Sequence, residues 1–243
     1  MIVQDSVCVL LFVKVPQPGR VKTRLAEAIG IDHATQLYQM FGLDLLDLLG
    51  QLPADLLIYY TPVGAEARLQ AWLGREWPYY AQVGEDLGAR LTAAFSHAFA
   101  LGYQRAIVLG SDSPDLPLAY LQEALQVLEK YQVAIGPTRD GGYYTIGFSA
   151  TNFLPQAFSG IAWSTETVFD RTLEKLKPHT AIHRLPPWYD VDTLADLERF
   201  EQETGGSAAV QTRQYLSQYR QEIFSQTSGY ASLQATETST ATA

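Results

Sequence analysis

The period of the hydrophobic and polar positions changes regularly along the chain. Short apolar runs, typical of strands that are buried on both faces, lie at residues 6–13, 56–60, 79–83, 106–109 and 133–135. Between these runs, apolar residues recur at helical spacing and predict helices over residues 33–49, 66–73, 87–99 and 118–128. Strands that alternate with helices are typical of a parallel sheet covered by helices. The pattern therefore predicts an α/β fold with a mostly parallel sheet.

The alternation changes after Pro137. Residues 141–148 are aromatic and β-rich and follow the preceding strand without a long helix, so we expect this strand to pair antiparallel. Helices over 165–176 and 193–200 and a strand over 181–185 complete one predicted domain, residues 1–206. Residues 207–243 are rich in Gln, Ser, Thr and Ala, and we expect a helix over 211–224 followed by a disordered tail.

Composition and charge narrow the possible functions. A hydrophobic fraction of 47%, a charged fraction of 18% and the lack of a long apolar run indicate a soluble globular protein without a membrane span. The net charge of −9 argues against a nucleic-acid partner, because such proteins need a basic face. The single cysteine, Cys8, cannot form an internal disulfide, and the N-terminus lacks a basic signal region, so we expect a cytoplasmic location.

Two carboxylates follow the apolar run 106–109, in the sequence Gly-Ser-Asp112-Ser-Pro-Asp115. Ligands of open α/β sheets bind at the carboxyl ends of the strands, and Mg²⁺ takes one or two carboxylates together with substrate phosphate oxygens. Asp112 is therefore a candidate metal ligand. The alternative is an Asx-type turn before the next helix, and we expect Asp115 to help start that helix.

The first strand leads into a basic loop, although the protein as a whole is acidic. Four cations lie within eleven residues, namely Lys14, Arg20, Lys22 and Arg24. A loop between a strand and a helix presents backbone N–H groups to an anion, and the basic side chains would neutralise a polyphosphate. The loop matches neither the Walker pattern nor the Rossmann glycine pattern. A solvated basic turn is the alternative interpretation.

Asp190 and Asp192 lie between a predicted strand and the helix that follows it. Here the structural alternative is strong, because Asp192 or Thr193 can cap the helix, with Asp196 completing a capping box to Thr193. Capping and metal binding are compatible, since Asp190 and Asp192 have separate carboxylates. Two further loops rich in glycine and charge, at 83–90 and 139–144, are either binding loops or ordinary turns.

The order of these motifs resembles the nucleotide-diphospho-sugar transferase superfamily over about residues 6–204. The resemblance implies a three-layer α/β/α sandwich of the GT-A type with a mostly parallel mixed sheet. It is strongest to a bacterial glycosyltransferase-like branch, and the phospholactate and molybdenum-cofactor guanylyltransferases have a similar layout. The first loop contains Pro-Gln-Pro-Gly in place of the Gly-x-Gly-Thr-Arg of sugar pyrophosphorylases, so base recognition cannot be transferred from those enzymes.

The resemblance also implies the site residues. The residues expected near the nucleotide are Lys14, Gly19, Lys22, Thr23, Arg24, Asp86, Gly88 and Arg90. Those expected on the acceptor side are Asp140, Gly141 and Gly142. Asp112 and Asp192 would hold Mg²⁺ or Mn²⁺, and Lys22, Arg24 and Asp112 would be catalytic.

The implied activity is that of a metal-dependent, nucleotide-using transferase. We predict a glycosyltransferase that moves a sugar from an NDP-sugar to a small acceptor. One alternative is a nucleotidyltransferase that releases pyrophosphate from a nucleoside triphosphate, because a loop with this many cations suits a triphosphate. An alternative from another class is a non-catalytic module that binds a nucleotide or a sugar.

Overall fold

The computed structural model of the chain describes residues 6–203 and 208–237, with the backbone alone for residues 225–237. Within these ranges, the strands are β1 Val7–Lys14, β2 Asp55–Thr61, β3 Tyr79–Ala81, β4 Arg105–Leu109, β5 Val133–Pro137, β6 Tyr143–Ser149 and β7 Ile182–Arg184. The helices are α1 Thr23–Ile29, α2 Ile31–Leu49, α3 Glu66–Leu73, α4 Leu87–Ala100, α5 Leu118–Val127, α6 Val168–Leu176, α7 Leu194–Glu203 and α8 Val210–Glu237. Two short 3₁₀ turns lie at 150–152 and 155–158.

The seven strands form one sheet in the order β3-β2-β1-β4-β6-β5-β7. Strand β6 pairs antiparallel with both β4 and β5, as its sequence predicted, and the other neighbouring strands pair parallel. The carboxyl ends of the parallel strands therefore lie at one edge of the sheet, together with the amino end of β6. The loops that carry the candidate chemistry leave the sheet at this edge.

Both faces of the sheet are covered by helices. In β1, Val9 and Leu11 pack with residues of α2, α3 and α5 on one face. Cys8 and Leu10 alternate with them and pack with residues of α4 and α6 on the other face. A strand buried on both faces reads as a continuous apolar run, which is the pattern in the sequence. The predicted three-layer α/β/α sandwich is confirmed.

A third apolar cluster joins α1, α2, α7 and α8 beside the sheet. It includes Leu25 of α1, Phe41 of α2, Phe200 of α7, and Leu216 and Ile223 of α8. Helix α8 begins where the sequence predicted a helix but continues to Glu237, through part of the segment expected to be disordered. Residues 238–243 lie outside the described residues, and so does the predicted domain end at residue 206. Of the helices in the described ranges, none has both the length and the apolar character needed to cross a membrane.

The predicted role of Asp115 was wrong. Helix α5 begins at Leu118 after Pro117, and Asp115 is buried rather than placed at the start of the helix. Its carboxylate accepts hydrogen bonds from the Tyr189 hydroxyl at 2.6 Å and from Trp188 Nε1 at 3.3 Å. Burial raises the pKa of Asp115, and these donors partly oppose that rise. Asp115 therefore anchors the loop that follows β7.

Candidate active site at the carboxyl edge of the sheet

Three charged groups from distant parts of the chain meet at the carboxyl edge of the sheet. Lys22 Nζ lies 2.5 Å from Asp112 Oδ1 and 2.9 Å from Asp192 Oδ1. The Lys22 side chain is 2% exposed, whereas the side chains of Asp112 and Asp192 are 42% and 41% exposed. The Lys22 ammonium is thus enclosed, whereas both carboxylates remain partly exposed. The sequence predicted that these three residues would share an edge, but not that Lys22 would bridge the two acids.

The backbone before α1 directs Lys22 into this position. Lys22 adopts a left-handed conformation with φ 47° and ψ 42°, which costs an L-residue about 1–2 kcal/mol. Its ammonium lies over the Phe41 ring, 5.3 Å from the ring centroid. Burial alone would lower the pKa of Lys22, but Asp112 and Asp192 outweigh burial and raise it. Lys22 therefore stays charged, and its ion pairs offset the backbone strain.

The loop after β7 is attached to the loop after β4 by two hydrogen bonds. The Val191 amide donates to the Asp112 carbonyl oxygen at 2.9 Å, and Ser113 Oγ donates to Asp190 Oδ1 at 2.7 Å. Because both bonds flank the acids, they fix the separation of Asp112 and Asp192. Sequence analysis did not find the Ser113 contact, since a serine in a polar turn carries no signal of a partner 77 positions away.

A buried tyrosine attaches the loop after β4 to β1 and α2. The Lys14 amide donates to the Tyr38 hydroxyl at 2.9 Å, and that hydroxyl also lies 2.9 Å from Ser111 Oγ. Burial, together with the negative charge of Asp112, raises the pKa of Tyr38 to about 12, so the phenol stays protonated near neutral pH. Tyr38 is a positioning residue that sequence analysis missed, because it reads as an ordinary apolar position of an amphipathic helix.

The two acids of the loop after β7 differ in their ionisation. Burial, reinforced by the charge of Asp112, raises the pKa of Asp190 to about 7, although the Ser113 hydrogen bond opposes the rise. Burial also acts to raise the pKa of Asp192, but Lys22, with Arg24 and Lys14 beyond it, lowers that pKa below its ordinary value. Asp192 is therefore ionised, and it is the better cation ligand of the two.

The carboxylates fit a divalent cation as a pair of ligands. Asp112 and Asp192 each direct Oδ1 at Lys22 and have a second oxygen for a hard cation such as Mg²⁺ or Mn²⁺. Among the described residues, no group of three or more acidic, histidine or cysteine side chains has a metal-binding arrangement. The donor set therefore suits a cation that takes its remaining ligands from water and from substrate phosphates. The metal assignment stays a prediction.

The basic loop surrounds this centre with exposed cations. Lys14, Arg20 and Arg24 are all exposed, and Arg24 lies in the first turn of α1 next to Thr23. Gly19 adopts φ 73°, a conformation that favours glycine, in the turn before Arg20. Exposed guanidinium and ammonium groups beside a carboxylate pair could neutralise phosphates that the pair itself would repel.

A cavity of about 180 Å³ opens beside Asp192. Its lining residues are Arg24, Arg139, Asp140, Tyr189, Asp190, Asp192, Thr193, Asp196 and Arg199. The predicted capping box is present, since the Thr193 amide donates to Asp196 Oδ2 at 2.9 Å and the Asp196 amide donates to Thr193 Oγ1 at 3.3 Å. Asp196 and Thr193 thus cap helix α7, and the Asp192 carboxylate, which takes no part in this capping box, pairs with Lys22.

The predicted acceptor-side residues form a tight turn at the rim of this cavity. Asp140 Oδ1 accepts from Thr138 Oγ1 at 2.5 Å and from the Gly142 amide at 3.2 Å. Gly141 has φ 91°, and a Cβ atom there would lie 2.0 Å from the Glu166 carbonyl oxygen. The glycine is therefore required by close approach of the backbone, and the Asp140 carboxylate stabilises the turn.

The motif at 86–90 has local partners in the structure. Asp86 caps α4 by accepting from the Ala89 amide at 2.7 Å, and Arg90 Nε donates to the Gly84 carbonyl oxygen at 3.0 Å. A Cβ atom on Gly88 would lie 2.5 Å from the Phe158 carbonyl oxygen. Within the described residues, the contacts of Asp86, Gly88 and Arg90 remain in this region and do not reach Lys22. Their predicted nucleotide-binding role stays a prediction.

Comparison with known proteins identifies the family. A family described as "Uncharacterized protein conserved in bacteria (DUF2064)" matches residues 45–165. A candidate nucleotide-diphospho-sugar transferase from Desulfovibrio desulfuricans G20 is 40% identical with a TM-score of 0.85, over 90% of this chain and 97% of that chain. The chain belongs to the DUF2064 family. This DUF2064 protein has the nucleotide-diphospho-sugar transferase fold that its sequence predicted.

More distant structures share the fold of this DUF2064 protein. The manganese complex of Rv0371c from Mycobacterium tuberculosis H37Rv is 19% identical with a TM-score of 0.51, over 83% of this chain and all of that chain. A cytidylyltransferase from Leptospira borgpetersenii is 13% identical with a TM-score of 0.52, over 90% of this chain and 97% of that chain. At these identities the similarity shows the fold alone. A search of curated proteins found no match.

Proposed function

We propose that this DUF2064 protein is a divalent-cation-dependent transferase that uses a nucleotide as its donor. The observation that carries the proposal is the convergence of Lys22, Asp112 and Asp192 at the carboxyl edge of the sheet. This edge is where open α/β sheets bind their ligands. The 40% identical relative, described as a candidate nucleotide-diphospho-sugar transferase, also supports the proposal.

Each charged group has a defined role in this proposal. Asp112 and Asp192 hold the cation, which supplies charge neutralisation on the donor phosphates when bound. Lys14 and Arg24 bind phosphate oxygens from the exposed basic loop. Lys22 holds the two carboxylates at one separation, and its charge stabilises the phosphate that leaves. The cavity beside Asp192 admits the acceptor.

Glycosyl transfer is the first candidate reaction. The oxygen of an acceptor hydroxyl forms a bond to the anomeric carbon of an NDP-sugar and releases its proton to the solvent. The bond from that carbon to the diphosphate breaks, and its electron pair leaves with the nucleoside diphosphate. The description of the 40% identical relative favours this reaction. Nucleotidyl transfer from a triphosphate is the second candidate, because three exposed cations, Lys14, Arg20 and Arg24, suit a longer phosphate chain.

Nucleotide binding tests the shared part of the proposal. We expect nucleoside triphosphates or NDP-sugars to bind the purified protein in the presence of Mg²⁺ or Mn²⁺, as measured by titration calorimetry. Asp112→Asn should abolish the metal dependence. The matched control Asp47→Asn, an exposed acid on α2, should retain it. Unchanged metal-dependent binding in Asp112→Asn would contradict the assignment of the metal site.

Product analysis separates the two reactions. Release of a nucleoside diphosphate from an NDP-sugar identifies glycosyl transfer, and release of pyrophosphate from a triphosphate identifies nucleotidyl transfer. Tight metal-dependent binding without either product, across a panel of hydroxylated and phosphorylated acceptors, would instead support the non-catalytic binding module.

A further inference from the structure

Two guanidinium groups lie against one tyrosine ring in the cavity beside Asp192. Arg139 Cζ is 5.8 Å and Arg199 Cζ is 5.7 Å from the centroid of the Tyr189 ring. Arg24 lines the same cavity. Like charges that share one cavity repel each other, and an anion bound between them would relieve that repulsion.

The tyrosine ring is a fixed platform for these cations. Tyr189 is 2% exposed, and its hydroxyl donates to Asp115 Oδ2 at 2.6 Å. Trp188 stacks on Tyr189 with ring centroids 5.2 Å apart. Asp115 is itself buried. Buried contacts therefore hold the ring on which the two guanidinium groups lie.

The carboxylates that line the cavity are already occupied by other donors. Asp140 accepts from Thr138 and Gly142, and Asp196 accepts from Thr193.

The other two acids that line the cavity also have partners. Asp192 is paired with Lys22, and Asp190 accepts from Ser113. Among the described residues, none of these four acids forms an ion pair with Arg24, Arg139 or Arg199.

The guanidinium groups, in contrast, retain unused donors. Across residues 6–203 and 208–224, no ion pair joins Arg24 or Arg139 to an acid. Arg199 reaches Glu203 with a single contact of 3.6 Å, which is long for a hydrogen bond. Each guanidinium has five N–H donors in a planar fork that matches the paired oxygens of a carboxylate or a phosphate.

We propose that this cavity binds an oxyanion group of the acceptor, a phosphate or a carboxylate, through Arg139 and Arg199. The inference rests on the proposed function and specifies the substrate class, namely a small anionic acceptor. The cavity volume of about 180 Å³ accommodates such a group with a few additional atoms. Arg139 borders the Asp140–Gly142 turn, so the bound acceptor lies between that turn and Asp192.

The test is a titration of inorganic phosphate and, separately, of acetate into the protein saturated with Mg²⁺ and a nucleoside diphosphate, which fills the donor site. We expect Arg139→Gln to weaken binding of the preferred anion by at least about tenfold, the effect of losing a charge-assisted hydrogen bond. Arg199→Gln should act in the same direction. The control Arg68→Gln, at an exposed position of α3, should leave anion binding unchanged.

The two arms distinguish the source of the oxyanion. Stronger phosphate binding identifies a phosphorylated acceptor, and stronger acetate binding identifies a carboxylate. Arg139→Lys keeps the charge but loses the fork, so partial loss in that variant supports bidentate recognition. Equal anion binding by Arg139→Gln and wild type overturns the proposal, and so does a loss of nucleotide binding in Arg139→Gln, which would assign the arginine to the donor.

Failure of this inference is distinguishable from failure of the proposed function. Metal-dependent nucleotide binding is measured first, on the same wild-type protein. If the nucleotide binds and neither anion does, the anion site is wrong and the function stands. If no nucleotide binds, the function fails, and the titration is repeated without nucleotide, where the Arg139→Gln comparison still decides the anion site.

Discussion

Lys22 is the residue on which the candidate site depends most directly. Its ammonium separates two carboxylates that would otherwise face each other, and its strained backbone shows that the loop is built around this contact. A lysine at this point offsets one of the two negative charges when no divalent cation is bound. The three groups together therefore keep a net negative charge, which a divalent cation would neutralise.

Lys22→Met tests the role of this charge, because methionine keeps an unbranched side chain, one atom shorter, and removes the ammonium. Breaking a buried ion pair costs about 3–5 kcal/mol, but Asp112 and Asp192 are each about two-fifths exposed. We therefore expect the free energy of unfolding in EDTA to fall by only about 1–3 kcal/mol. Denaturant unfolding should show that Mn²⁺ stabilises the variant more than the wild type, since the metal replaces the lost charge.

The control for this comparison is Lys175→Met, an exposed lysine on α6. It should leave both the stability and the response to Mn²⁺ unchanged. A Lys22→Met protein that gains no more from Mn²⁺ than the wild type would show that Asp112 and Asp192 do not form the cation site.

Asp190 makes the stability of the metal-free protein depend on pH. Its pKa rises from the ordinary value of 3.8 to about 7 on folding. Between these values the folded state binds more protons than the unfolded state, so the free energy of unfolding decreases as pH rises. The steepest slope from one such group approaches about 1.4 kcal/mol per pH unit. In EDTA, Asp190→Asn should flatten the slope between pH 4 and 7.

The exposed Asp47 supplies the control for this titration. Asp47→Asn should retain the wild-type slope, measured by denaturant unfolding at several pH values. If Asp190→Asn has the same slope as wild type, the raised pKa is wrong, and Asp190 is ionised beside Asp112 throughout this range.

Strand and helix patterns were sufficient to predict that Lys22, Asp112 and Asp192 lie at one edge. β1 and β4 each read as an apolar run that ends in polar residues, and a strand was also predicted over 181–185. The carboxyl ends of parallel strands meet at the same edge. The stacking of Arg139 and Arg199 on Tyr189 was not predictable in this way. It depends on how a turn after β5, a loop after β7 and helix α7 pack together, and none of these segments has a pattern that encodes its partners.

The turn between β5 and β6 gives a prediction about backbone geometry. Gly141 and Gly19 both have positive φ, but only Gly141 is close to another segment, at Glu166. Gly19→Ala should cost about 1 kcal/mol, the penalty of a left-handed L-residue. Gly141→Ala should cost about 2–4 kcal/mol, because its Cβ would also displace the Glu166 backbone. Equal losses in thermal unfolding would show that the turn moves freely.

The position of α8 against the rest of the molecule could not be predicted from the sequence pattern. The helix itself was predicted over residues 211–224, yet its docking on α1 and α2 was not. The docking depends on Asp44, a buried acid within α2 that interrupts an otherwise apolar face. Asp44 accepts from the amides of Gln211 at 2.8 Å and Thr212 at 2.9 Å, from a segment 167 positions away. Nothing local to either segment marks this contact.

Asp44→Ala should therefore loosen α8 from the rest of the molecule. The substitution removes a carboxylate that caps the first turn of α8 and that also accepts from Thr212 Oγ1 at 2.5 Å. Burial of the Asp44 carboxylate raises its pKa, and the cost of that burial offsets part of the stability that its hydrogen bonds contribute. We therefore expect a loss of about 2 kcal/mol in the free energy of unfolding. Amide hydrogen exchange should accelerate in residues 211–216 before it accelerates in the sheet. Asp47→Ala, one turn along α2 and exposed, should change both measurements far less, because it removes only a neighbouring like charge. If both variants behave alike, packing of the apolar cluster alone holds α8, and the buried acid is dispensable for docking.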